Sequence, residues 1–290
     1  MKKIDLEIII LTYESQFWLK KTLESLDEFY LQRTKKNVVV TVVDNASTDE
    51  TIQMVKTTFP WVHLLEEQKN AGFASGNNVA LKNSKAEYVL LLNSDVESTQ
   101  TTQIDILLDF MDTHNTVACI TPKVVFTSGA IDPACHRGEP TLWASLTYFT
   151  GLEKLFSKSP LFSQYHQWYK NLDTIHTIDA CSGAAMLLRR SVLDTVGFLD
   201  EQFFMYAEDL DLCKRLRDAG HLITYHPQVS IIHHKYKSGI KGSSKKIARI
   251  TRQHFYDTML QYYDKHYKEK YPSFVRVGIK IFTVFKKGAL

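Results

Sequence analysis

The sequence predicts an α/β fold, a mostly parallel central sheet with flanking helices, followed by a C-terminal helical extension. Three observations predict it. Short apolar runs recur through the first 122 residues, each ending at a polar or acidic residue. Segments compatible with helices lie between those runs, and strand–helix alternation implies parallel strands joined by right-handed crossovers. Beyond residue 246, apolar residues then recur at helical spacing.

The elements follow in order. Glu7–Leu11 is an apolar run ending at Thr12, and Val38–Val43 is a β-branched run ending at Asp44. Val62–Leu65 leads to Asn70, and Tyr88–Leu92 ends at Asn93-Ser94-Asp95. Runs this uniformly apolar suit strands buried on both faces. The second helix opens with Ser47-Thr48-Asp49-Glu50, the pattern of a capping box. Residues 126–178 carry aromatic and turn residues without a clear period and read as an insertion beside the sheet, on the acceptor side of a site. A strand at Ala184–Leu188 and a short helix near Ser191–Val196 come next. Glu208–Ala219 reads as a helix stopped by Gly220, and Leu222–Tyr225 and Val229–Ile232 as strands. Ser238–Lys246 reads as a mobile loop of Gly, Ser and Lys. Ile247, Ile250, Tyr256, Met259, Leu260, Tyr263 and Tyr267 then keep helical spacing. Residues 1–234 therefore form one unit, and 235–290 a basic loop with a helical extension.

Charge is unevenly placed. Residues 235–290 hold 14 Lys/Arg against 3 Asp/Glu, whereas the chain as a whole is only +3. A basic tail on an acidic body suits an anionic partner: a diphosphate, a lipid headgroup or a membrane surface. No nucleic-acid-binding motif accompanies it. No apolar run reaches the ~20 residues needed to span a bilayer, and no signal peptide is apparent. Cys119, Cys135, Cys181 and Cys213 form no Cys-x-x-Cys pair, which excludes the common zinc and redox motifs. Free thiols and a cytoplasmic location are expected, with peripheral attachment to the inner face of the membrane if the tail binds lipid.

In an open parallel sheet, ligands bind beyond the carboxyl ends of the strands. Thr12, Asp44 and Asp95 should therefore gather along one edge. Asp44 can accept a hydrogen bond from a pyrimidine ring N–H. Asp95, a hard oxygen ligand, suits Mg2+ or Mn2+ bridged to a diphosphate. In Asn70-Ala71-Gly72-Phe73-Ala74-Ser75-Gly76-Asn77-Asn78 the glycines can bring backbone close to a ligand. Tyr206-Ala207-Glu208-Asp209-Leu210-Asp211 places three acids at a helix N-terminus. Asp211 there complements the helix dipole. Asp209, or Glu208 as second choice, is positioned to act as general base on an acceptor hydroxyl. His233 and His234 are adjacent in a strand and point to opposite sides, so at most one enters the site. His233 is the candidate if Asp95 lies nearby, and His234 is structural.

Taken in order, these segments resemble glycosyltransferase family 2. The resemblance rests on Ile8–Tyr13, Val42–Asp49, Asn70–Asn78, Leu91–Asp95, Ser182–Arg190, Val196–Cys213 and Ile232–His234, about four-fifths of the chain. It implies a nucleotide-binding fold of the glycosyltransferase A type. It implies that Thr12, Tyr13, Glu14 and Asp44 line the nucleoside pocket, with Asn70, Gly72, Asn78, Ser94 and Gly183 also on the donor side. Asp95 matches the last acid of the Asp-x-Asp motif and would bind the metal. The first position is Asn93, a departure common in the rhamnosyltransferase-like branch. Asp209 matches the general base, and His233, five residues before Ser238, matches a metal ligand. The implied reaction is a single displacement at the anomeric carbon with inversion, with dTDP-rhamnose as the favoured donor, another dTDP- or UDP-sugar as the alternative, and a glycan or lipid-linked acceptor.

The tail also bears on the acceptor. Ser273, Arg276, Lys280, Thr283 and Lys287 share one helical face, and Phe274, Val277, Ile281, Val284 and Phe285 another. Such a helix suits an anionic membrane, and equally suits packing on its own domain or on a homodimer partner. A sugar nucleotidyltransferase would want a Gly-rich loop after the first strand, where this chain has Thr12-Tyr13-Glu14-Ser15-Gln16-Phe17. A non-catalytic sugar-binding module would have no need of Asp44, Asp95 and Asp209 together.

Overall fold

The computed structural model describes residues 3–235 and 245–288, with side chains in the second stretch for 252–287. The expected loop Ser238–Lys246, and with it Ser238, lies outside the described side chains.

The chain runs β1 (Leu6–Thr12), α1 (Gln16–Leu26), β2 (Val38–Asp44), α2 (Thr51–Thr58), β3 (His63–Glu66), α3 (Gly72–Leu81) and β4 (Tyr88–Asn93). It continues through β5 (Val96–Glu97), α4 (Ile104–Thr113), β6 (Val117–Val125), α5 (Leu142–Thr150), α6 (Leu152–Leu155) and β7 (His176–Ile178). Then come β8 (Ala185–Arg189), α7 (Arg190–Val196), α8 (Glu208–Asp218), β9 (Leu222–His233), α9 (Lys245–His266) and α10 (Ser273–Gly288).

One sheet takes the order β3-β2-β1-β4-β8-β6-β9-β5, with β7 also on β9. The first four strands in that order are all parallel, as the apolar runs require. Beyond β4 the pairing is mixed: β8 is antiparallel to both its neighbours, while β6 and β9 are parallel. Leu6, Ile8, Ile9 and Ile10 of β1 are wholly buried, because β1 lies inside the sheet between β2 and β4 and both of its faces are covered. Register sets the site. Thr12 stands opposite Asp44, and Val96 opposite His233, so strand pairing alone carries residues from remote parts of the sequence to one edge.

Several elements differ from expectation. The two short strands after residue 221 are one strand, β9, whose pairing with β6 slips where His226 gives way to Ser230. Pro227, which has no N–H to give to the ladder, sits in that slip. The segment 126–178 contains α5 and α6, and its end joins the sheet as β7. The capping box before α2 does not form. The Ser47 hydroxyl accepts from the Glu14 N–H at 2.9 Å, and Asp49 takes the Thr51 N–H at 3.1 Å. All four cysteines are free and buried, with Cys119 and Cys181 sulfurs 3.6 Å apart. Among the described residues, no helix is long and apolar enough to cross a membrane.

Candidate active site

Thr12 and Asp44 close adjacent strands and are both buried. One carboxylate oxygen of Asp44 accepts the Ser47 N–H at 2.8 Å and so shapes the turn after β2. The other, and the Thr12 hydroxyl, are buried with no hydrogen-bond partner among the described residues. A buried polar atom left unpaired is costly and calls for an explanation. Burial raises the Asp44 pKa above the ordinary carboxylate value, although the Ser47 bonds pull the other way. A ligand N–H would relieve both.

The remaining donor-side expectations divide. Tyr13 is partly exposed. Glu14, in the left-handed region at φ 50°, holds Thr48 through its N–H and hydroxyl at 2.6 and 2.7 Å. Asn70 accepts from Asn45 at 2.9 Å and from the Gly72 N–H at 3.0 Å. Gly72 is at φ +88°, and a Cβ there would lie 2.3 Å from the Phe204 carbonyl oxygen. Only glycine permits that approach. A Cβ on Gly183 would strike the Phe73 ring at 2.7 Å. The loop at 70–73 thus meets both Gly183 and Phe204. Asn78 is not brought there as a free group: its amide bonds Leu199 and Glu201 at 2.8 Å and pins α3. Ser94 is buried, and its carbonyl accepts from Thr22 at 3.0 Å.

Asp95 and His233 meet. The β5–β9 pairing sets the His233 Nε2 atom 3.3 Å from an Asp95 carboxylate oxygen, with the Asn93 amide 3.4 Å from the same nitrogen. The other ring nitrogen, Nδ1, lies 2.9 Å from Asp132. Asp132 also accepts from Lys235 at 3.0 Å. Burial by itself would raise the Asp132 pKa, but His233 and Lys235 overcome it and hold it at about 2. Burial likewise opposes charge on His233, yet its bonds to Asp132 and Asp95 push it up to about 9.

This donor set fits a divalent cation. An imidazole whose far nitrogen is held by a carboxylate is the usual arrangement for a histidine ligand. Nε2, on the Asp95 side, is then the nitrogen that can ligate. Among the described residues no group of three or more His, Cys, Asp or Glu side chains is arranged to hold an ion. Asp95 and His233 would share it with a diphosphate, the common pattern for Mg2+. His234 turns away, as expected, to Glu97 at 2.7 Å and to the Trp18 ring.

Helix α8 starts after two non-glycine residues in the left-handed region, Tyr206 at φ 73° and Ala207 at φ 69°. Backbone of this kind persists only where the surroundings hold it in place. It sets Glu208 and Asp209 at the helix start, both buried. Asp209 forms a 2.6 Å ion pair with Arg137 and accepts the Leu210 N–H at 2.7 Å. Arg137 is itself buried and donates to the Cys181 carbonyl at 2.9 Å. Burial, then the charge of Asp209, raises the Glu208 pKa to about 8, so Glu208 is protonated near neutrality. Asp211 does more than complement the dipole: it is fully buried against Arg215, Lys265 and His266.

Asp132 and Arg137 are the residues that sequence reasoning missed. They are five positions apart in one segment, one on His233 and the other on Asp209. Their partners lie 101 and 72 positions away, so no local pattern announces them.

Comparison with known proteins shows the family and the fold. The model of glycosyl transferase family 2 matches residues 7–197. The chain is 28% identical over 273 residues to N-acetylglucosaminyl-diphospho-decaprenol L-rhamnosyltransferase of Mycobacterium tuberculosis, covering 90% of this chain and 85% of that one. It is 29% identical over 184 residues to rhamnosyltransferase WbbL of Escherichia coli K12, covering 60% and 65%. Among solved structures, the mannosyltransferase PcManGT from Pyrobaculum calidifontis, in complex with GDP-Man and Mn2+, superposes with a TM-score of 0.61 at 17% identity, covering 99% of this chain and 70% of that one.

Proposed function

The chain belongs to glycosyl transferase family 2, and on that premise we propose that it transfers L-rhamnose from dTDP-rhamnose to a lipid-linked glycan acceptor, with inversion. The observation that carries the site assignment is the pairing of Asp95 with His233 across β5 and β9. The donor and the acceptor follow two relatives, one whose name specifies a diphospho-decaprenol acceptor and both of which are rhamnosyltransferases.

The residues divide the work. The free oxygen of Asp44 and the Thr12 hydroxyl take the nucleoside, with Asp44 accepting from the ring N–H. Asp95 and His233 would hold Mg2+ or Mn2+, which when bound would neutralise charge on the departing nucleoside diphosphate. Asp209 takes the proton of the acceptor hydroxyl as that oxygen attacks the anomeric carbon and the bond to diphosphate breaks. Arg137 fixes the direction of Asp209, and each of its carboxylate oxygens keeps a lone pair for the acceptor. Glu208, kept neutral by burial, adds no second charge beside the base.

The test is nucleoside diphosphate release from radiolabelled dTDP- and UDP-sugars with Mn2+ and acceptor extracts. Release fastest with dTDP-rhamnose is expected. Binding without release from any donor would leave a sugar-nucleotide-binding module instead. Asp209→Asn should abolish transfer, a loss of at least ~100-fold for removal of a general base, with nucleotide affinity unchanged. Full activity in that variant removes Asp209 from the role.

A further inference from the structure

Exposed apolar side chains are not spread evenly over this molecule. Among the described residues, eleven of the twenty large exposed hydrophobic residues fall in two segments. Trp143, Leu146, Tyr148, Leu155, Phe156 and Leu161 lie in and around α5 and α6. Phe274, Val277, Ile281, Val284 and Phe285 lie on one face of α10, 56–72% exposed. Soluble monomers rarely leave apolar patches of such extent without a partner.

The helix α10 is mounted with its apolar stripe outward. Val275 and Ile279 pack on the cluster of Phe203, Tyr262, Tyr263 and Tyr267. Arg276 is ion-paired to Asp264 at 2.6 Å, and Thr283 is buried. A helix that merely covered its own domain would turn the other face inward. A ring contact joins the two segments, with Phe149 of α5 5.0 Å from Phe282 of α10. Within the first segment Trp143 lies 6.0 Å from Phe162, which in turn is 5.0 Å from Phe156. Exposed lysines flank the apolar residues, with Lys154 beside Leu155 and Lys280 beside Ile281, within a tail that carries 14 basic against 3 acidic groups.

We propose that α5, α6 and α10 form one docking face for an anionic lipid surface, which delivers a membrane-anchored acceptor to Asp209. The delivery step rests on the lipid-linked acceptor proposed above; the docking face does not. Apolar residues rimmed by lysine match the acyl–headgroup boundary, where both are rewarded. A second copy of the chain is the competing occupant of this face, and it is an outcome of the test below. The face is tied to the site by covalent structure. Arg137, which grips Asp209, precedes the start of α5 by five residues, a reach of at most about 18 Å.

The experiment is flotation of the full chain with phosphatidylcholine vesicles and with phosphatidylcholine/phosphatidylglycerol vesicles, without donor or acceptor. The protein should float with the anionic vesicles, and less so as salt is raised. Leu146→Glu/Leu155→Glu and Ile281→Glu/Phe285→Glu should each lower partitioning by about tenfold or more. All four positions are exposed, so thermal melts should match the parent chain. Unchanged flotation of the α5–α6 variant overturns the joint face, and absence of flotation by the parent chain overturns docking altogether. A dimer seen by light scattering and broken by these substitutions assigns the face to a second copy and overturns the lipid. Calorimetric dTDP binding and nucleoside diphosphate release in solution should be the same in both variants. Their loss in the parent chain would sink the catalytic reading and leave the flotation result standing.

Discussion

Asp132 accepts from both His233 Nδ1 and Lys235 Nζ, and this double contact gives it a measurable job. Asparagine in its place keeps the size but loses the charge that orients the imidazole. Asp132→Asn should weaken Mn2+ binding in the presence of dTDP by about 10–100-fold, the usual effect of removing a carboxylate behind a histidine ligand. Titration calorimetry reads it, and an unaltered affinity counts against the arrangement. A side chain such as this is invisible to sequence reading. Asp132 precedes Pro133 in a turn-rich stretch, where an acid is ordinary turn chemistry. By contrast Asp44 and Asp95 were legible as candidates, because each stands at or just beyond the end of a largely apolar strand. Glu14, which the resemblance puts in the nucleoside pocket, has its carboxylate on the Thr48 turn.

Elements tell a similar story. β1, β2 and β4 were readable as apolar runs because both of their faces are covered. β6 was not separated out, since Thr121-Pro122-Lys123 interrupts its apolar stretch, and β7 is only three residues long. The junction of α8 with α9 was equally hidden. Asp211 on α8 meets Lys265 and His266 at 2.6 and 2.7 Å, clamping the extension to the catalytic unit. Burial opposes its charge, but these partners win and hold its pKa at about 2. A carboxylate depressed in the folded state stabilises fully above its unfolded pKa of about 4, and that stability is lost as pH falls through about 2. From the two values the clamp is worth about 3 kcal/mol at neutral pH. Asp211→Asn should cost about 3 kcal/mol, since it strands buried cations. Denaturation at pH 7 tests the cost. In the variant, the acid-induced loss of stability between about pH 4 and 2 should shrink.

For the molecule as a whole, the proposed docking face would give the tail a second task beside packing, where the sequence alone left the two as alternatives. α10 packs on its own body through Val275 and Ile279, yet presents Phe274, Ile281 and Phe285 to solvent. Deleting residues 273–290 should therefore release the protein from anionic vesicles and also lower its thermal midpoint, because Tyr262, Tyr263 and Tyr267 lose their cover. A melt and a flotation assay on the same truncated chain separate the two effects. An unchanged midpoint would deny α10 its packing role. The segment from Asp132 to Arg137 has a different reach. It is one short piece of backbone that touches His233 at one end and Asp209 at the other, so on the proposed mechanism damage at its two ends is coupled. The double variant Asp132→Asn/Arg137→Lys should lose less activity than the product of the two single losses, because the first substitution already slackens the support on which the second would act.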